Sequence, residues 1–235
     1  KTKDAALQIV KEFDFYKKYI GGADVYRHPL NIYILNCWGK LRAWSGWGDD
    51  CGISQNIIQS HLVDMPFNIK WISFKEISRD GIPKDCDIIF NFGAMGTSWS
   101  GDYMWKLPNV KSRIEGFVRQ GGAFLGIGAS GFFDGKSVIS DMMELIPADK
   151  NVKEEAWLYS KKTQEHWISR ELPETLNLKG GLKIKSNGTD ASSLYSSGDC
   201  PVVYVKEFGK GRVGYINGYN DTTEYYKLLK KIGRA

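Results

Sequence analysis

Pro108–Gly128 reads PNVKSRIEGFVRQGGAFLGIG, and the order of its signals sets the fold class. Val110, Ile114, Phe117 and Val118 recur at helical spacing, and Gly121-Gly122 stops the helix. Ala123–Ile127 follows at once, short and apolar on both faces. A strand of that kind, entered from a helix, belongs in a parallel sheet covered by helices. Upstream, Leu30–Asn36 (LNIYILN), Phe67–Phe74 and Asp87–Phe92 repeat the pattern, with a helix expected from about residue 53 to 63. The expectation is an α/β fold with a mostly parallel sheet and helices on both faces.

Further out the rhythm changes. Ala5, Ala6, Ile9, Val10, Phe13, Tyr16 and Ile20 are spaced as one helix face and end at Gly21-Gly22, so residues 1–22 read as a connecting helix and 23–235 as the domain. Beyond about residue 150, short alternating runs occur at Leu182–Lys185, Val202–Glu207 and Arg212–Ile216. Gly209-Lys210-Gly211 turns the last two into a hairpin, and a helix from about Thr222 to Ile232 closes the chain.

Composition narrows the function classes. With 32 Lys+Arg against 27 Asp+Glu, mostly interspersed, the net charge of +5 does not call for a nucleic-acid surface. No run of about 18 apolar residues exists to span a membrane. Cys37, Cys51, Cys86 and Cys200 show neither CxxC pairing nor zinc spacing, which points to a reducing, cytoplasmic setting. The chain opens at Lys1 without a signal-type segment and reads as a piece of something longer. Asn187-Gly188-Thr189 fits a glycosylation acceptor, but without a secretory signal it reads as a turn.

Gly126-Ile127-Gly128-Ala129-Ser130-Gly131 matches the G-x-G-x-x-G dinucleotide fingerprint. It follows the fourth strand, however, where the fingerprint expects the first, and Phe132-Phe133-Asp134-Gly135 stands where a helix should run. A phosphate-loop reading of Gly131 to Gly135-Lys136-Ser137 falls one residue short. The same turn occupies the place at which amidotransferase-like enzymes carry a nucleophile elbow, but this puts Gly128 at the nucleophile position. Ser130 lies two residues on and would need a base; His28, His61 and His166 are the only histidines, none near the late turn at Tyr219-Asn220-Asp221. No metal-ligand spacing is present.

The other strong signal is the loop after the first strand. Trp38, Lys40, Arg42, Trp44 and Trp47 fall within a few residues, at the carboxyl end of a strand, where open α/β sheets bind ligands. A second aromatic loop with Trp99, Asp102, Tyr103 and Trp105 follows the third strand. Indole faces stack on sugars and cations address anions. Trp and Arg are equally what protein interfaces use, so the two readings stand side by side.

Leu35-Asn36-Cys37-Trp38-Gly39-Lys40-Leu41-Arg42-Ala43-Trp44 resembles the L-N-x-W-G-K-L-R-x-W segment in the central domain of the lacto-N-biose phosphorylase family, which includes galactosyl-N-acetylhexosamine and galactosyl-rhamnose phosphorylases. The likeness continues through Gly81-Ile82-Pro83, Thr97-Ser98-Trp99-Ser100-Gly101, Gly121–Gly128 and Gly209-Lys210-Gly211-Arg212. The segment after the decapeptide departs: the family is rich in His and Tyr there, whereas this chain reads Ser45-Gly46-Trp47-Gly48-Asp49-Asp50.

The resemblance implies an amidotransferase-like, flavodoxin-like fold, related to a trimerisation domain of some β-galactosidases. It implies a non-catalytic domain of a parent enzyme that splits β-galactosides with phosphate as co-substrate and needs no cofactor. Expected partners are an N-terminal barrel domain of the parent or another subunit, in a homo-oligomer, with Trp38, Lys40, Arg42, Trp44, Trp47, Trp99 and Asp102 at an interface or beside a sugar. Alternatives of a different class are a stand-alone sugar- or nucleotide-binding module and a degenerate amidotransferase-like enzyme using Ser130.

Overall fold

The computed structural model describes residues 2–20, 30–39, 62, 65, 67–188 and 192–232. Lys40, Arg42, Trp44 and Trp47, and all but Leu62 of the helix expected over 53–63, lie outside the described residues. Helix α1 (Thr2–Ile20) precedes strands β1 (Asn31–Asn36) and β2 (Asn68–Ser73), helix α2 (Phe74–Asp80) and strand β3 (Ile88–Gly93). A 3-10 turn (Asp102–Lys106), helix α3 (Val110–Arg119) and strand β4 (Ala123–Gly128) follow. Then come β5 (Phe132–Phe133), β6 (Lys136–Ser137), the one-turn helix α4 (Ser140–Met143) and β7 (Leu145–Pro147). The second half holds β8 (Glu154–Lys162), β9 (Thr175–Leu182), β10 (Ile184–Ser186), β11 (Ser192–Ser197), β12 (Cys200–Phe208), β13 (Gly211–Ile216) and α5 (Thr223–Ile232).

The main sheet has nine strands in the order β2-β1-β3-β4-β13-β12-β11-β8-β9. From β2 to β13 every pairing is parallel, and from β13 to β9 every pairing is antiparallel. The expected mostly parallel, flavodoxin-like (amidotransferase-like) sheet is therefore corrected to a mixed, strand-rich sheet. The reason is connectivity. Parallel neighbours need a crossover, which α2 and α3 help supply in the first half, whereas the second half folds back strand upon strand and so runs antiparallel. β13 is the hinge of the pattern, with Gly214 paired to Leu125 on one side and Val205 on the other.

The first-half strands, the β12–β13 hairpin and α5 form where the apolar periodicity places them. α2 was not anticipated, yet its start is written locally: Glu76 N–H donates to Ser73 Oγ at 3.1 Å and Ser73 N–H to Glu76 Oε2 at 2.7 Å, a reciprocal cap. The core forms on both faces of the sheet. Ile34, Phe90, Ile127 and Ile216 meet Leu228, Leu229 and Ile232 of α5 on one side. Leu35, Ile89, Phe124 and Tyr215 meet Ile77, Ile114 and Val118 on the other. Among the described residues no helix is long and apolar enough to cross a membrane.

Candidate functional site

The carboxyl ends of β1 and β3 carry the two aromatic loops, and the fold ties them together. Asn36 ends β1 with its Oδ1 accepting from Trp38 N–H at 2.9 Å and Gly39 N–H at 2.7 Å, which turns the chain across the sheet edge. Asn91, fully buried in β3, donates through Nδ2 to Leu35 O and Trp99 O, both at 3.0 Å. Cys37 N–H donates to Ser98 O at 3.0 Å. The loop after β3 is thus pinned onto the end of β1.

Trp99 sits at the centre. Its ring stacks on Phe92 (centroids 5.8 Å, planes 11° apart) and meets Trp38 edge-on at 5.2 Å and Trp71 at 6.2 Å. Such pairs contribute about 0.5–1.5 kcal/mol each beyond area burial. Trp99 is only 5% exposed and its Nε1 has no partner among the described residues, so this indole is a packing element, while half-buried Trp38 forms the outer surface of the cluster. The structure therefore joins Trp38 to Trp99. It places Asp102 elsewhere, beside Gly96, Asp134 and Asn151 on an open groove of about 370 Å³. Trp71 was missed in sequence because it lies inside a strand, away from any loop signal.

The glycine turn after β4 is closed to chemistry. Gly128 has φ 66°, and a Cβ there would stand 2.8 Å from Gly93 O. The Gly93 carbonyl also accepts from Ala129 N–H at 2.8 Å, and the Tyr215 hydroxyl donates to Gly128 O. The nucleophile position of an elbow thus has no room for a side chain. Gly131 leads into the β5–β6 hairpin, not a helix, so neither a dinucleotide nor a phosphate loop has its helix N-terminus.

Ser130 is fully buried, and among the described residues its Oγ has no partner. His166 accepts from Ile168 N–H at 3.2 Å in a separate segment, while His28 and His61 lie outside the described residues. Ser130→Ala is expected to leave stability unchanged or slightly raised, since it removes an unsatisfied hydroxyl. A melting temperature lowered by more than about 4 °C would contradict this.

The described thiols are no better placed. Burial pushes the Cys37 and Cys200 thiols above their ordinary range and Cys86 up to about 12, so among the described residues no cysteine is activated as a thiolate. Among the described residues no group of three His, Cys, Asp or Glu could hold a metal.

With this geometry in place, likeness to known proteins is decisive. The model of the lacto-N-biose phosphorylase central domain matches residues 31–233. The chain belongs to this family. A 1,3-β-galactosyl-N-acetylhexosamine phosphorylase of Lachnoclostridium phytofermentans is 26% identical over 94% of this chain and 32% of its own length. A D-galactosyl-β-1,4-L-rhamnose phosphorylase of the same organism is 28% identical over 97% of this chain and again 32% of its own. This member of the lacto-N-biose phosphorylase family thus spans about a third of the length of those relatives. In structure, the family member is similar to a cold-adapted β-galactosidase from Rahnella sp. R3, with a TM-score of 0.59 at 16% identity, over 87% of this chain and 31% of that one. At that identity the likeness concerns the fold alone.

Proposed function

We propose that the chain is a non-catalytic central domain of a β-galactoside phosphorylase-like enzyme. Its work is packing against another domain or subunit, with the Trp38–Trp99 edge flanking a sugar site. The observation that supports this is Gly128: the turn after β4, where an elbow would carry its nucleophile, holds no side chain there, and an added Cβ would stand 2.8 Å from Gly93 O. Packing is supported by exposed apolar surface. Leu7, Val10 and Phe13 of α1 are 51%, 55% and 68% exposed, apolar surface of the kind that marks a contact with another domain or chain. The parent reaction, with phosphate as co-substrate and no cofactor, needs a positioned carboxylic acid, which this reading places in another domain.

The test has two arms. The purified chain, given galactosyl-N-acetylhexosamine or galactosyl-rhamnose with phosphate, is expected to release no galactose 1-phosphate. Sedimentation velocity is expected to show concentration-dependent association that weakens in a Val10→Ser, Phe13→Ser variant. Measurable galactose 1-phosphate would overturn the non-catalytic role. A chain that stays monomeric at high concentration would overturn the packing role.

A further inference from the structure

At the amino ends of β3, β4 and β13, the far end of the sheet from the tryptophan cluster, lies a cavity of about 390 Å³. That is within the size range of small-molecule sites, and its make-up follows their pattern of an apolar floor with a few polar groups. Ile88, Leu125, Val205 and Ile232 form the floor. Trp167, His166, Glu207 and Arg212 form the rim. Trp167 is 44% exposed, its ring tilted against His166 at 5.8 Å.

The rim is electrically balanced and uncommitted. Glu207 and Arg212 face each other across the β12–β13 pair, both exposed, and among the described residues neither makes an ion pair. Lys206, the neighbouring cation, is already paired with Glu144. Desolvation holds His166 below its ordinary pKa, which favours the neutral imidazole. Because its Nδ1 accepts from Ile168 N–H, the ring proton sits on Nε2 as a donor. The site therefore offers one obligate acceptor, two obligate donors and an aromatic face, with no net charge.

We propose that this cavity binds a neutral pyranose, as a mono- or disaccharide. The apolar CH face of the sugar lies on Trp167, and vicinal hydroxyls, each donor and acceptor at once, bridge Arg212, Glu207 and His166. Charge decides the class. A phosphate or carboxylate would meet the Glu207 carboxylate, an ammonium would meet Arg212, and a wholly apolar ligand would strip water from both ions without replacing it. The site is independent of the tryptophan edge and of any role given to it.

The test is isothermal titration and saturation-transfer NMR of the 235-residue chain with methyl β-galactopyranoside, methyl β-glucopyranoside and N-acetylglucosamine, with inorganic phosphate and adenosine as competitors. Arg212→Gln, Glu207→Gln and Trp167→Ala alter exposed side chains, and their unchanged melting temperatures establish folding. At least one pyranoside is expected to bind saturably, and to bind at least about tenfold more weakly to Arg212→Gln and Trp167→Ala. Absence of saturable binding, stronger binding of phosphate or adenosine, or affinity unaltered in all three variants would overturn the site. So would binding that is lost in Trp38→Ser yet kept in Arg212→Gln, which moves the sugar to the other edge.

Discussion

Gly128→Cys is expected to destabilise the chain rather than supply a nucleophile. A left-handed backbone at φ 66° costs a side-chain-bearing residue about 1–2 kcal/mol. The added Cβ would also stand 2.8 Å from Gly93 O, which cannot retreat without losing its bond from Ala129 N–H. Strain and clash together should remove about 3 kcal/mol or more. For a domain of this size that lowers the melting temperature by about 6–12 °C. Calorimetry of the variant beside wild type is the measurement. A melt within a degree or two of wild type, with a thiol that labels rapidly, would show that the elbow is open after all.

Asn91→Asp is expected to be as damaging, and to carry a pH signature. Nδ2 of Asn91 serves two buried carbonyls at once, Leu35 O and Trp99 O, so an ionised carboxylate would turn both contacts into repulsions between acceptors. Breaking this buried network should cost about 3 kcal/mol or more at neutral pH. Burial favours the protonated acid, so the folded pKa of the new group lies above the unfolded value of about 3.9. The sign follows by linkage. The penalty is smallest below that unfolded value and grows as pH rises toward the folded pKa. Denaturant melts from pH 4 to 8 should show the gap from wild type widening with pH; a constant gap would refute the argument. Trp99 emission should redden in the same variant, since its loop loses its anchor.

The first half of the sheet was readable because its strands are apolar on both faces and alternate with helices, a pattern with one structural solution. The second half hid for three local reasons. β8 turns Trp157 and Tyr159 outward, where they are 40% and 68% exposed, so its apolar residues do not alternate with polar ones. β11 is mostly serine (SSLYSS) and resembles a loop. β9 alternates Leu176 and Leu178 inward but carries Gly180-Gly181 just before its last residue, Leu182, and the pair reads as a break. The correction from a parallel to a mixed sheet rests on these three strands. The candidate site was legible as two loops, not as an arrangement. That Trp38 meets Trp99, while Asp102 turns to a different groove, depends on Asn91, a polar residue inside an apolar strand whose hydrogen bonds no spacing rule reveals.

The position of β13 also governs how the chain reaches its native state. β2, β1, β3 and β4 all precede residue 129, so they can assemble before β13 is made, but β4 then presents an open edge. The strand that closes this edge ends at Ile216 and must already be zipped to β12 to carry the antiparallel strands with it. Close to ninety residues separate Leu125 from Gly214, its partner in that pairing, so the joining step has a high loop-closure cost and comes late. The half-built sheet would leave that edge open to other chains during synthesis, and the speed with which the β12–β13 hairpin forms is expected to set how long it stays so.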